Sequence, residues 1–257
     1  MKNFKHIILG MILLGNHSFA QLKAVQYKDE AQILNGFKIA PAKKSTQKPG
    51  ILILPAWKGI DKVSKDTAEK LSNLGYYAFV ADIYGEGNYP KDNAEAGKNA
   101  GYYKKDFQAY HKRISLALEQ LILAGANPDN IVVIGYCFGG TGALEAARGH
   151  LNIKGVVSFH GGLGKDESRP TVPIAASILV CHGADDPFES TEEILGFQKE
   201  MRDSKADWQM IYYSNAVHSF TNPESGNDNS KGAAYNEKAD KRSFEHLQLF
   251  LNEVLKK

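Results

Sequence analysis

The chain has 257 residues, of which 43% are hydrophobic and 23% charged, an ordinary globular composition with room for a sizeable core. Its formal charge of +2 comes from the first twenty residues: without Lys2 and Lys5 the 31 basic residues become 29 and equal the 29 acidic ones. That balance, with no Lys/Arg stripe interleaved with aromatics, excludes nucleic acid and an anionic membrane surface as expected partners.

Residues 1–6 form a basic start, residues 7–15 an apolar run too short to span a bilayer, and Ser18-Phe19-Ala20 places small residues before a cut. This order predicts a signal peptide over 1–20, cleavage before Gln21, and an exported protein, periplasmic or secreted. No cysteine follows the apolar run, so no membrane anchor is expected after cleavage. The remainder, 21–257, shows no repeat and no linker between two cores, and reads as one domain.

Residues 22–27 and 32–39 are predicted as an antiparallel strand pair at a sheet edge. A polar loop with breakers follows, then Ile51-Leu52-Ile53-Leu54, whose wholly apolar character fits a strand buried on both faces. Pro55 to Gly59 ends it. The apolar spacing of Val63, Ala68, Leu71 and Leu74 predicts a helix over 61–74, stopped by Gly75. A strand over 76–81 comes next. Residues 83–103, rich in Gly, Tyr, Asn and Lys, are expected to be a long irregular connection of functional or mobile character. A helix is predicted over 104–123, with Phe107, Ile114, Leu118 and Leu121 on one side.

The run Ile131-Val132-Val133-Ile134 then leads into Gly135-Tyr136-Cys137-Phe138-Gly139-Gly140. A strand followed by G-x-C-x-G-G has the pattern of a nucleophile elbow, with cysteine where serine is more usual. The nucleophile sits on a strained turn between strand and helix, so residues two positions away must be small. The helix starting near Thr141 would aim its N-terminus at the thiol, lowering its pKa and favouring an oxyanion. Further strands are predicted over 154–159, ending at His160, over 177–181, ending at His182, and over 208–213. A helix capped by Thr191 should run to about 205, and a long helix should cover 233–255.

Strands alternating with helices imply a mostly parallel sheet with helices on both faces. In such sheets ligands bind beyond the carboxyl ends of the strands. Cys137, Asp186 and His218 all follow strands, in the order nucleophile, acid, histidine that belongs to the α/β-hydrolase fold. Cys137 is therefore the candidate nucleophile, His218 its base, and a carboxylate the group orienting His218. Asp185 and Asp186 compete for that role; the Gly183-x-x-Asp spacing and the position before Pro187 point to Asp186. Backbone N–H groups of Phe138 and Trp57 are the candidate oxyanion hole. Tyr84, Tyr102 and His160, with Tyr89 and Tyr103 as further candidates, are expected to line the substrate pocket. The cysteines Cys137 and Cys181 could instead form one disulfide, but a chain of this size does not need the staple. No metal-ligand spacing is present.

The motifs G-Y-C-F-G-G at Cys137, G-A-D-D-P-F at Asp186 and H-S-F at His218 resemble the dienelactone hydrolase family through essentially the whole chain after residue 20. The resemblance implies a single-domain hydrolase of small esters or lactones, with a Cys-Asp-His triad, a thioester acyl-enzyme and no metal or organic cofactor. Two positions depart from it. The family's glutamate after the third strand is Ala56 here, and the arginine after the triad histidine is absent, Thr221-Asn222 following Phe220. The chemistry thus carries over further than the substrate. A non-catalytic binding protein on the same scaffold, and a redox thiol protein, are the alternatives.

Overall fold

The computed structural model describes residues 21–256; the expected signal segment, 1–20, lies outside the described residues. In chain order the elements are β1 (Lys23–Asp29), β2 (Gln32–Ile39), β3 (Gly50–Leu54), α1 (Lys62–Asn73), β4 (Tyr77–Val80), α2 (Asn93–Lys105), α3 (Phe107–Leu123), β5 (Ile131–Tyr136), α4 (Phe138–Arg148), β6 (Gly155–Phe159), β7 (Ser177–Gly183), α5 (Thr191–Asp203), β8 (Trp208–Tyr213) and α6 (Glu237–Val254). The strands form one sheet in the order β1-β2-β4-β3-β5-β6-β7-β8. Only β2 runs against its neighbours.

The apolar runs become central strands because both of their faces are covered. Leu52, Leu54, Ile131 and Val133 enter one core with Ile114, Leu118 and Leu144 of α3 and α4. Their alternates Ile51, Ile53, Val132 and Ile134 enter the other, with Leu71 of α1 and Leu247 and Leu251 of α6. This period-two division places the turn after β5 in the middle of the sheet, where the loops after β3 and β6 flank it.

Two expectations are corrected. The stretch 83–103 is not one irregular connection, because α2 occupies its second half. Asp92 caps α2 by accepting the Glu95 N–H at 2.8 Å, and Glu95 accepts the Lys91 N–H. Asp106 then breaks the chain between α2 and α3 and caps the latter through the Ala109 N–H. The first half of the stretch is pinned by Asp82, which accepts from the Asn35 and Gly85 N–H groups and the Tyr89 hydroxyl. Helix α5 is capped by Ser190 rather than Thr191: Ser190 and Glu193 exchange hydrogen bonds as a capping box.

A largely buried charge network joins α4 to α5. Arg148, with 4% of its side chain exposed, pairs with Glu145 at 2.9 Å and Glu200 at 2.7 Å. Its Nη2 also donates to the Leu163 carbonyl at 2.7 Å, and Arg169 completes the group on Glu145 at 2.8 Å. Removing one partner from such a network strands buried charge. Arg148→Ala is therefore expected to cost about 3–5 kcal/mol of unfolding free energy, read as a lower midpoint in urea. An unchanged midpoint would mean that Glu145 and Glu200 do not need the guanidinium.

Candidate active site

Strand β5 ends at Tyr136 and α4 begins at Phe138, leaving Cys137 alone on the turn at φ 53° and ψ −116°. A non-glycine residue persists there only when its surroundings force it. A Cβ on Gly135 would lie 1.9 Å from the Gly139 carbonyl oxygen, and one on Gly139 would lie 2.1 Å from the Leu54 oxygen. The elbow glycines are thus required by direct backbone approach, and the loop after β3 packs on the start of α4. Tyr110 holds that helix from below: its hydroxyl donates to the Phe138 carbonyl at 3.0 Å and its ring stacks on Phe138 at 4.6 Å.

Nε2 of His218 lies 3.0 Å from the Cys137 Sγ, and Nδ1 lies 2.9 Å from Oδ2 of Asp186. The second Asp186 oxygen accepts the Phe188 N–H at 3.0 Å, and the carboxylate is closed to solvent. Asp185 is exposed; its N–H bonds the Ala216 carbonyl, while His218 Nδ1 is taken by Asp186. The His218 backbone is held on both sides, donating to the Gly232 oxygen and accepting from the Ala234 N–H.

Burial by itself would push the Cys137 thiol up. The His218 hydrogen bond and charge, the Phe138 N–H and the Lys104 charge outweigh burial and bring the thiol below its ordinary value. Burial would likewise depress His218, but its bonds to Asp186 and Cys137 and their negative charges raise it. Both shifts favour the charged forms, a thiolate beside an imidazolium.

The remaining expected residues divide. Phe138 presents its N–H at the sulfur from the first position of α4. The Trp57 peptide is fixed by the Tyr84 hydroxyl, which donates to the Trp57 carbonyl at 2.7 Å. Tyr84 also stacks on Phe138, and with Tyr102, Tyr103 and Arg113 it borders a cavity of about 280 Å³. His160 does not line an open pocket. It is 2% exposed and packs edge-on behind His218 at 5.2 Å, with Nε2 2.8 Å from the Thr221 hydroxyl. Burial holds its pKa well below the ordinary range, so it is a neutral neighbour of His218. Tyr89 is spent on Asp82. Asn222 caps a short 3₁₀ turn through the Glu224 N–H, so its side chain faces its own loop.

Three residues near the thiol were not singled out from the sequence. Thr141 is buried one turn into α4, and its hydroxyl has no hydrogen-bond partner. Glu189 accepts the Leu163 N–H at 3.1 Å and is pushed by burial up to about 7. Lys104, at the end of α2, contributes to the thiolate's stabilisation. None belongs to a motif; only the helix that carries Lys104 had a sequence signal, the Asp92-x-x-Glu95 start.

Both cysteines are free, Cys181 lying on β7, which β6 separates from the elbow strand. This arrangement removes the disulfide and the resolving cysteine that a redox reading needs. Among the described residues, no group of three or more His, Cys, Asp or Glu could hold a metal ion, and no helix is long and apolar enough to cross a membrane.

Comparison with known proteins agrees with this architecture. The model of the dienelactone hydrolase family matches residues 34–255. A Bradyrhizobium protein described as a "probable 2-oxo-3-(5-oxofuran-2-ylidene)propanoate lactonase" is 30% identical over 183 residues, 67% of this chain and 73% of that protein. The crystal structure of a dienelactone hydrolase-like promiscuous phosphotriesterase from metagenomic libraries superposes with a TM-score of 0.87 at 33% identity, covering 93% of this chain and all of that one (100%). An α/β hydrolase from a deep-sea metagenome library shares the fold at a TM-score of 0.60 and 19% identity, over 91% of this chain and 98% of its own. The chain belongs to the dienelactone hydrolase family and is a carboxylic ester hydrolase of the α/β-hydrolase fold.

Proposed function

We propose that the chain hydrolyses a small carboxylic ester or lactone through a thioester on Cys137, with His218 as acid and base and Asp186 as its orienting carboxylate. The observation that carries this reading is the unbroken line from Asp186 Oδ2 through His218 to Cys137 Sγ, at 2.9 and 3.0 Å. The thiolate adds to the acyl carbon, and the carbonyl electron pair moves to oxygen. The N–H groups of Phe138 and Trp57 receive that oxyanion. Collapse expels the alkoxide, which takes the proton from the His218 imidazolium. In the acyl-enzyme the thiolate charge is gone, so His218 loses one of the two groups that raised it. It can then deprotonate water, whose hydroxide cleaves the thioester and restores the ion pair. With Ala56 in place of a glutamate, activation of the thiol falls to His218 and the start of α4. The lactonase name of the Bradyrhizobium relative supports cyclic esters among the substrates.

Brief mixing with excess p-nitrophenyl butyrate and an acid quench should yield protein heavier by a butyryl group, mapped to the Cys137 peptide. Steady p-nitrophenol release from protein of unchanged mass would sink the covalent route. The same reading carries export, supported by the residue pattern of 1–20; a protein recovered outside the cytoplasm and beginning at Gln21 tests it.

A further inference from the structure

Cys137, Asp186 and His218 follow different strands, and one buried side chain outside the triad links what carries them. His160 ends β6, which lies between β5, the strand leading to Cys137, and β7, the strand leading to Asp186. The peptide joining Phe159 to His160 is bonded on both sides. Its carbonyl accepts the Cys137 N–H at 3.0 Å, and its N–H donates to the Cys181 carbonyl at 2.8 Å. From this point the His160 ring reaches the loop after β8 that holds His218. Nε2 lies 2.8 Å from the Thr221 hydroxyl, and the ring meets His218 edge-on at 5.2 Å and Phe220 at 5.1 Å. Among the described residues, the bond to Thr221 is the one side-chain hydrogen bond, besides those of the triad, that reaches residues 218–221. The loop is otherwise held by backbone bonds to Gly232, Ala234 and Asn236 in the segment before α6. His160 and Ser219 both sit at positive φ, 41° and 57°, and such conformations persist where packing enforces them.

We propose that His160, through its bond to Thr221, is a positioning residue for His218: it ties the loop of the base to the part of the sheet that carries the nucleophile and the acid. The inference rests on the reading of His218 as the base of Cys137. His160 is 2% and Thr221 5% exposed, so water does not compete for their bond. The chemistry of the side chain suits the place. A cation here would oppose a positive charge on His218. A hydrocarbon would fill the space without fixing where the loop lies along the sheet. A neutral imidazole packs against the His218 ring and still offers a nitrogen to the hydroxyl. Its value lies in distance: a catalytic group displaced by about 1 Å can cost on the order of 100-fold in rate.

Thr221→Val removes the hydroxyl and keeps the branched shape. On p-nitrophenyl butyrate it should lower kcat by about tenfold or more with KM within about twofold, the pattern of a base moved out of line rather than of lost substrate binding. Thr221→Ser keeps the hydroxyl and should recover most of kcat. His160→Phe keeps a ring against His218 but loses Nε2; combined with Thr221→Val it should cost little more than either change alone, because both remove the same bond. A second readout needs no ester. The rate at which iodoacetamide alkylates Cys137 near neutral pH, followed on its peptide by mass spectrometry, reports the thiolate formed beside His218. It should fall in Thr221→Val and recover in Thr221→Ser, with melting temperature reporting the fold of each variant. Folded Thr221→Val protein whose kcat and alkylation rate stay within about twofold of wild type overturns the positioning role, and a normal acyl-enzyme burst in that protein leaves the covalent route standing. Equal losses in the valine and serine variants also overturn it, since the hydroxyl would then be irrelevant. Absence of an acyl-enzyme in the wild-type protein, with alkylation slowed by valine and restored by serine, overturns the covalent route and supports the positioning of His218.

Discussion

Replacing Cys137 by alanine is expected to lower kcat/KM on an activated short-chain ester by about 10⁴-fold or more, because in the proposed triad nucleophile, base and carboxylate act as one unit. The other cysteine cannot take its place. Cys181 is two strands away on β7, fully buried, and receives the Tyr213 hydroxyl at 3.5 Å. Burial pushes its thiol up to about 12, so it carries almost no thiolate near neutral pH. Cys181→Ala should therefore leave the burst on Cys137 intact, and adding it to Cys137→Ala should lose nothing further. Serine at 137 should restore little, since its hydroxyl does not form the anion that the thiol forms beside His218. The measurement is the p-nitrophenol rate of each variant, with melting temperature as the check on folding. Turnover of the alanine variant within about tenfold of wild type would remove Cys137 from the reaction, given how much a covalent nucleophile contributes.

The parts of this molecule that could be read from its residues are those in which local chemistry and global position demand the same thing. Gly135 and Gly139 must be glycine because backbone oxygens lie 1.9 and 2.1 Å from where a Cβ would be. A pattern so constrained by geometry is visible without coordinates. The apolar strands were legible because a sheet covered on both faces erases alternation. Helix α2 was obscured by Gly97 and Gly101, and by the lack of a clear apolar stripe on Asn93–Lys105. Its buried residues are only Ala96, Ala100 and Tyr103, small or half-polar, so periodicity had little to report. His160 shows a different limit. A histidine at the end of a central strand can face the cleft or the core, and only packing against Phe220 and His218 decides that it faces inward. Lys104 on α2, Thr141 on α4 and Glu189 in the loop before α5 owe their meeting to tertiary structure alone.

Among the carboxylates the sharpest separation should come at 185 and 186. Asp186→Asn is expected to lower kcat by about 10⁴-fold, the scale of losing the carboxylate that orients a catalytic histidine. Asp185→Asn, an exposed change with no triad contact, should stay within about twofold, as surface substitutions usually do. The pH profile distinguishes a direct electrostatic role from a merely structural one. Burial lowers the His218 imidazole, and the Asp186 hydrogen bond is the first of the interactions that reverse this. Removing that carboxylate must therefore move the imidazolium's loss of its proton to lower pH. The thiol sits below its ordinary value despite burial because the His218 bond and charge hold it there; a less basic His218 lets it rise. In the proposed mechanism the wild-type ion pair exists between the lowered thiol pKa and the raised imidazole pKa. In the Asn variant these limits approach each other, so the bell in kcat/KM should narrow from both sides as well as fall. A profile that falls evenly, with both limbs in place, would mean that Asp186 only positions the loop through the Phe188 N–H and that the charge of His218 is set by other groups.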